Sequence, residues 1–143
     1  GSEMCIRDSY GSRKARELEL NPRASLCFHW PVLERQVRVE GTVERVSEDE
    51  STRYFATRPR GSRIGAWASR QSERIPSGAD LRSEVRRIAR KYPGTEVPLP
   101  PFWGGYLLRP THIEFWQGKA DRLHERLVFE RRNDGWETHR LYP

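Results

Sequence analysis

Cysteine is nearly absent from this sequence: only Cys5 and Cys27 occur, and their spacing fits neither a metal motif nor a disulfide framework. The four histidines, His29, His112, His124 and His139, are scattered without metal-ligand spacing. No apolar stretch approaches the roughly 18 residues of a membrane-spanning helix, and no leader-type pattern is present. A cytoplasmic protein is the default expectation. GxSxG, HExxH, CxxC, P-loop and GxGxxG motifs in their required contexts are all missing, so those hydrolase, peptidase, NTPase and dinucleotide chemistries are set aside. There is no run of about five or more basic residues, which argues against a nucleic-acid arm or a polybasic membrane tether. Internal repeats and low-complexity segments are absent as well.

What the sequence does have is charge and aromatic rings. Of its 143 residues, 32% are charged and 35% hydrophobic, with five Trp, five Tyr and five Phe. That length allows one domain with a modest core, which a permanent partner subunit would help to stabilise. The aromatic content argues against disorder. The net charge of +6 comes mostly from arginine and points to anionic partners, since arginine grips phosphate bidentately.

The first nine residues, GSEMCIRDS, have neither helical nor strand periodicity and read as a remnant foreign to the domain, which then spans 10–143. A helix is predicted over 12–20, capped by Ser12 and stopped by Asn21-Pro22. Arg13 and Lys14 fall in its first turn, where the helix dipole disfavours cations, and an anion docked there would account for them. Two solvated surface cations give the same pattern. Residues 24–30 (ASLCFHW) predict a buried strand, and 35–46 alternate as a long antiparallel strand with one wet face. Gln36 lies on that polar face, within reach of a ligand or simply exposed. Ser47 opens a helix that Pro59 ends, with Tyr54 and Arg58 on one side of it. Ser62 is placed to cap a further short helix, and the three together suit a phosphate cradle, although each alone suits a surface. Gln71 and Ser72 sit in a polar loop. A capping box at 77–80 begins a helix with the apolar stripe Leu81, Val85, Ile88, Ala89 and Tyr92. A Pro-rich connector over 91–101 precedes strands at 104–108 and 113–117. A hairpin then joins 122–131 to 136–141 through Asn133-Asp134-Gly135.

The chain is organised around 113–126, IEFWQGKADRLHER. If its second half is a strand, Arg122, His124 and Arg126 project from one face, with Leu123, Leu127 and Phe129 opposite. Two cations flanking an imidazole suit an anionic or electron-rich ligand, and a solvated cationic strand is the alternative. Phe115 and Trp116 point to opposite faces of their own strand. Strands outnumber helices, so the expected fold is mainly β with short α-helices, an antiparallel barrel-like sheet. No prepared nucleophile is visible. Phosphate-suited groups, aromatics and one histidine between two arginines fit an enzyme whose cofactor carries the chemistry.

From Tyr10 onward the chain resembles the pyridoxamine (pyridoxine) 5′-phosphate oxidase family. The resemblance rests on YGSRKARELELNPRASLCF, LERQVRVEGTVERV, YFATRPRGSRIGAWAS followed by RQS, EVPLPPFWGGY and IEFWQGKADRLHERLVFER. It implies an FMN-binding split β-barrel, Greek-key-like, acting as a homodimer with FMN at the subunit interface and a C-terminal dimerisation region. Arg13 and Lys14 then match the pair binding the FMN phosphate, and Gln36, Gln71, Ser72, Trp116 and Arg126 match further FMN contacts. Tyr54, Arg58 and Ser62 match the cradle for the substrate 5′-phosphate. Arg122, Leu123 and His124 match the stretch over the pyridine ring, with Arg122 and His124 as catalytic residues and no metal. The implied reaction oxidises pyridoxamine or pyridoxine 5′-phosphate to pyridoxal 5′-phosphate, with dioxygen as acceptor and hydrogen peroxide as product. The family's upstream strands and an R-x-x-x-x-K stretch have no counterpart here, so an N-terminally truncated domain with uncovered strand edges is expected. Two other readings are a non-catalytic flavin- or pyridoxal-phosphate-binding barrel and a basic nucleic-acid-binding barrel. The scattered arginines fit the second poorly.

Overall fold

Three serines set the helix starts. In the computed structural model, which describes residues 4–133 and 135–143, Ser12 Oγ accepts from the Ala15 amide at 3.1 Å, Ser47 Oγ from Glu50 at 3.2 Å and Ser77 Oγ from Asp80 at 3.3 Å. Each satisfies a donor that a helix N-terminus leaves unpaired. The helices are α1 (Arg13–Leu20), α2 (Glu48–Thr57), α3 (Arg60–Ala68) and α4 (Gly78–Lys91). Ser62 does not cap α3. Pro59, whose fixed φ suits the entry to a helix, takes that position, and Ser62 falls inside the first turn.

The strands are β1 (Met4–Ser9), β2 (Arg23–Trp30), β3 (Arg35–Arg45), β4 (Trp103–Gln117), β5 (Glu125–Arg132) and β6 (Gly135–Leu141). They form the order β2-β3-β4-β5-β6, with β1 also paired to β4. Of the 1–9 segment, the described part is not outside the fold: Met4–Ser9 is a strand, formed by pairing with β4 rather than by any alternation of its own. Nor are there two strands over 104–117. β4 runs unbroken, and Pro110, which cannot donate to a ladder, precedes the first β4–β5 pair, His112↔Glu130.

The chain divides into two compact units. One contains 22–43 and 108–143 and carries the antiparallel pairs β2–β3, β4–β5 and β5–β6. Val39, Val43, Leu108 and Val128 are buried in it. Gly41 is required there, because a Cβ would collide with the Arg109 carbonyl. β2 was expected to be buried and is instead mostly exposed, since it ends the strand order and among the described residues pairs on one side, with β3. Its Phe28 and Trp30 stack on each other with ring centroids 6.4 Å apart. The β5–β6 register pairs Arg132 with Gly135, which leaves a two-residue loop; Asn133 takes φ 47°, and Asp134 lies outside the described residues.

The other unit contains 5–21 and 44–107. Its core joins Phe55, Ile64, Ala68, Ile88, Val97 and Trp103, so α2, α3 and α4 pack on the start of β4. The Arg60 guanidinium closes the end of α4 by donating to the carbonyls of Tyr92 at 2.7 Å and Gly94 at 2.8 Å.

Candidate functional site

Within the helical unit, the start of α1 brings together the basic pair and the polar loop. The Arg13 amide donates to Ser72 Oγ at 3.1 Å, and Ser72 reaches it through a left-handed backbone, φ 70°. Gln71 Oε1 accepts from the Ser9 amide at 3.4 Å and lines a 310 Å³ cavity with Ser9, Gly11 and Phe102. The Arg13 guanidinium is turned along the helix to Glu17 at 2.7 Å, and Lys14 Nζ lies 2.7 Å from Asp8. The first turn of α1 has no acidic residue of its own. The Arg13 and Ala15 amides already have hydroxyl partners, so it is the two cations at the positive end of the helix that suit an anion there.

Tyr54 and Arg58 occupy the end of α2, and Ser62 the exposed first turn of α3. The Tyr54 ring stacks parallel to Trp103 at 6.3 Å, and the Arg58 guanidinium lies over the Trp103 ring at 4.9 Å. Arg58 Nη1 is buried and has no hydrogen-bond partner among the described residues. A buried guanidinium nitrogen left unpaired is costly, and an anionic oxygen is the partner that removes the cost.

The sheet unit holds the remaining residues. Gln36 and Trp116 line one 560 Å³ cavity together with Trp30, Phe115 and Lys119. The Trp116 and His124 rings are in contact, centroids 4.9 Å apart. His124 Nδ1 accepts from the Lys119 amide at 3.2 Å, so the proton of the neutral ring sits on Nε2. Arg122, His124 and Arg126 do not share one strand face. A short 3₁₀ turn, Ala120–Arg122, precedes β5, and Asp121 and Arg122 take positive φ of 56° and 61°. That reversal leaves Arg122 and Leu123 exposed and places His124 before the strand, so only Arg126 belongs to β5.

Arg126 is fixed by a residue the sequence reading passed over. Glu114, 3% exposed, accepts from Arg126 Nε at 3.0 Å and Nη2 at 2.9 Å, with Arg38 Nη2 at 3.5 Å. The Arg126 hydrogen bonds, opposed by burial and aided by the Arg126, Arg38 and His112 charges, hold the Glu114 carboxyl below its ordinary range. The available signal was a lone acid between Ile113 and Phe115 on the same strand face as Trp116. Asp8 was likewise missed. Burial pushes its carboxyl up, but Lys14, the Ser9 amide and Gln71 together bring it below the usual range. Among the described residues, no group of His, Cys, Asp and Glu is arranged to hold a metal, and no helix is long and apolar enough to cross a membrane.

Comparison with known proteins decides the lineage. The profile of the pyridoxamine 5′-phosphate oxidase family matches residues 1–92, and that of the pyridoxine 5′-phosphate oxidase C-terminal dimerisation region matches 103–143. The chain belongs to the pyridoxamine 5′-phosphate oxidase family. It is 58% identical over 94% of its length to the pyridoxine/pyridoxamine 5′-phosphate oxidase of Rubrobacter xylanophilus, of which it spans 62%. With the enzyme of the same name from Anaeromyxobacter dehalogenans the identity is 57%, over 92% of this chain and 67% of the relative. Among solved structures, PhzG from Burkholderia lata 383, in complex with tetrahydrophenazine-1-carboxylic acid, superposes with a TM-score of 0.88 at 31% identity. That match covers 99% of this chain and 68% of PhzG. A pyridoxamine 5′-phosphate oxidase-related, FMN-binding protein from Nostoc punctiforme shares the fold at TM-score 0.74 and 17% identity, over 99% and 73% of the two chains. The mainly antiparallel six-stranded sheet with short helices is thus the split barrel of this family.

Proposed function

We propose that this chain acts as an FMN-dependent oxidase converting pyridoxamine or pyridoxine 5′-phosphate to pyridoxal 5′-phosphate. Dioxygen is the final acceptor and hydrogen peroxide the product, and the amine substrate also takes up water and releases ammonia. The observation that carries this reading is the buried Arg58 Nη1, without a hydrogen-bond partner among the described residues, at the end of α2 that also carries Tyr54, a donor set suited to a phosphate monoester. The family membership and the 58% identical relative support it.

The residues fit FMN. Arg13, Lys14, Gln71 and Ser72 gather at the start of α1, and Gln36 and Trp116 line an aromatic cavity suited to a flavin ring. Arg126, held in a bidentate grip by Glu114, presents a fixed positive edge. FMN, when bound, supplies the two-electron acceptor that dioxygen regenerates.

The protein's own part is orientation and charge. Tyr54, Arg58 and Ser62 hold the substrate phosphate, which fixes the ring end of the molecule at a set distance. His124, steadied by Trp116 and the Lys119 amide, offers its Nε2–H to the substrate. Arg122 adds an exposed cation to stabilise developing negative charge. No side chain forms a covalent bond. The chain works as a homodimer in the cytoplasm with FMN at the subunit interface; the exposed Phe28, Trp30 and Phe115 and the match to a dimerisation region support the pairing of subunits.

The test is anaerobic. Chain loaded with FMN is mixed with pyridoxamine 5′-phosphate and the visible flavin absorbance followed. Bleaching that reverses on admitting air is expected. Bound flavin that never bleaches would leave a flavin-binding protein without this turnover.

A further inference from the structure

We propose that Asp8 is an internal competitor for the phosphate of FMN, setting how strongly this chain prefers FMN to unphosphorylated flavin. The inference rests on the FMN assignment above and concerns Asp8 alone, which that assignment does not use.

Asp8 is the penultimate residue of β1, its side chain only 3% exposed, while the Lys14 side chain it pairs with is 50% exposed. Lys14 Nζ stands 2.7 Å from Asp8 Oδ2. The same Oδ2 accepts from Ser12 Oγ at 3.2 Å, and Oδ1 accepts from the Ser9 amide at 2.8 Å. Gln71 is near enough to add to the stabilisation of the charged form. The carboxylate therefore has three donors around it at the start of α1, the end that favours an anion. Ser12, one of those donors, is also the helix cap through its bond from the Ala15 amide. The arrangement is a built internal anion site, already filled by the chain.

The charge balance follows. Arg13 and Lys14 are each paired with a carboxylate, Glu17 and Asp8 respectively, so the two cations bring no net charge to a ligand. The two pairs are not equivalent. Arg13–Glu17 is exposed on both sides and yields readily to a stronger anion. Asp8 is buried and tied to main chain and cap, so it stays in place when a phosphate arrives. A dianionic phosphate drawing on Lys14 then meets a fixed negative charge on the other side of the same ammonium. Burial weakens the solvent screening between the two anions. Asp8 thus subtracts from FMN affinity while leaving the binding of the flavin ring alone.

Asp8→Asn tests this. The amide keeps an acceptor for the Ser9 N–H and nearly the same shape but removes the charge. FMN and riboflavin are titrated separately into the parent chain and the variant, following flavin fluorescence, with circular dichroism confirming the fold. The expected result is FMN binding tightened about tenfold in the variant, with riboflavin affinity unchanged. An FMN affinity that is unchanged or weaker would show Asp8 to be neutral or a positioning group for Lys14, and would overturn the proposal while leaving the FMN assignment intact. Equal tightening of both flavins would mean a change in fold rather than in charge, and also overturns it. If neither flavin binds either chain, the FMN assignment fails together with the proposal. Should Asp8→Asn lose its circular dichroism signal, Asp8→Ser is titrated in its place under the same criteria.

Discussion

Replacing Glu114 with Gln gives the sharpest test of how the sheet unit holds its basic residues. The carboxylate is almost fully buried and receives two charge-assisted hydrogen bonds from Arg126 and a longer contact from Arg38. Gln can accept at one oxygen only and turns an N–H₂ toward a guanidinium, leaving buried positive charge uncompensated. Complete burial of such a broken pair costs about 3–5 kcal/mol. The Arg126 side chain is 28% exposed, so water takes up part of the loss, and about 2 kcal/mol is expected at neutral pH. For a chain of this size that is a fall in melting temperature of about 6 °C. The pH dependence has a definite sign. The folded-state pKa of Glu114 lies below its ordinary 4.5, so its contribution is complete above that value and is lost as pH falls through the folded pKa. The gap between parent and variant should be full at pH 7 and narrow below about pH 4.5. Thermal melts followed by circular dichroism at several pH values measure it, and Arg126→Met alone and combined with Glu114→Gln completes a double-mutant cycle. A melting temperature within about 1 °C of the parent, or additive effects in the cycle, would refute the claim that Glu114 anchors Arg126.

Three further outcomes follow from other parts of the molecule. If Arg58 holds the substrate phosphate as proposed, Arg58→Met should raise the KM for pyridoxamine 5′-phosphate about 10- to 100-fold with little change in kcat; steady-state kinetics decide, and a fall in kcat alone would count against the cradle. Gly41→Ala should cost about 2 kcal/mol or more, since its methyl meets the Arg109 backbone rather than a side chain that can move aside; an unchanged urea midpoint would contradict the close approach. Burial and then the Glu19 hydrogen bond push the Tyr106 phenol up to about 12. Its neutral form therefore supports the fold fully below the ordinary value of 10.0, and that support fades as pH rises through about 12, so Tyr106→Phe should flatten the alkaline decline in melting temperature.

Local chemistry was legible in the sequence wherever it is self-contained. Ser12, Ser47 and Ser77 announce their helices because a cap is made within four residues, and the β5–β6 turn is announced by Asn133 for the same reason. Features set by distant pairing were not legible. β1 has no pattern of its own and exists through β4, and Pro110 hides the continuity of that strand. The face expected of Arg122, His124 and Arg126 failed because two residues with positive φ, neither of them glycine, interrupt the period. Residue roles came from the family resemblance rather than from spacing. The carboxylates that fix those residues, Asp8 and Glu114, emerged only from the contacts.

The order of the strands also dictates a history for the chain. β3 lies beside β4 in the sheet, yet residues 44–107 separate the sheet unit's two segments in sequence. During synthesis the β2–β3 hairpin emerges early and must wait, one long edge unpaired, until the whole helical segment has left the ribosome and β4 follows. The α2–α4 helices make mostly local contacts and can form during that wait, whereas closing the sheet carries the entropy of a long loop. A nascent chain stalled before β4 would therefore expose a two-stranded ribbon bearing Phe28 and Trp30. At that stage the unpaired strand edge is most open to wrong pairing with another chain.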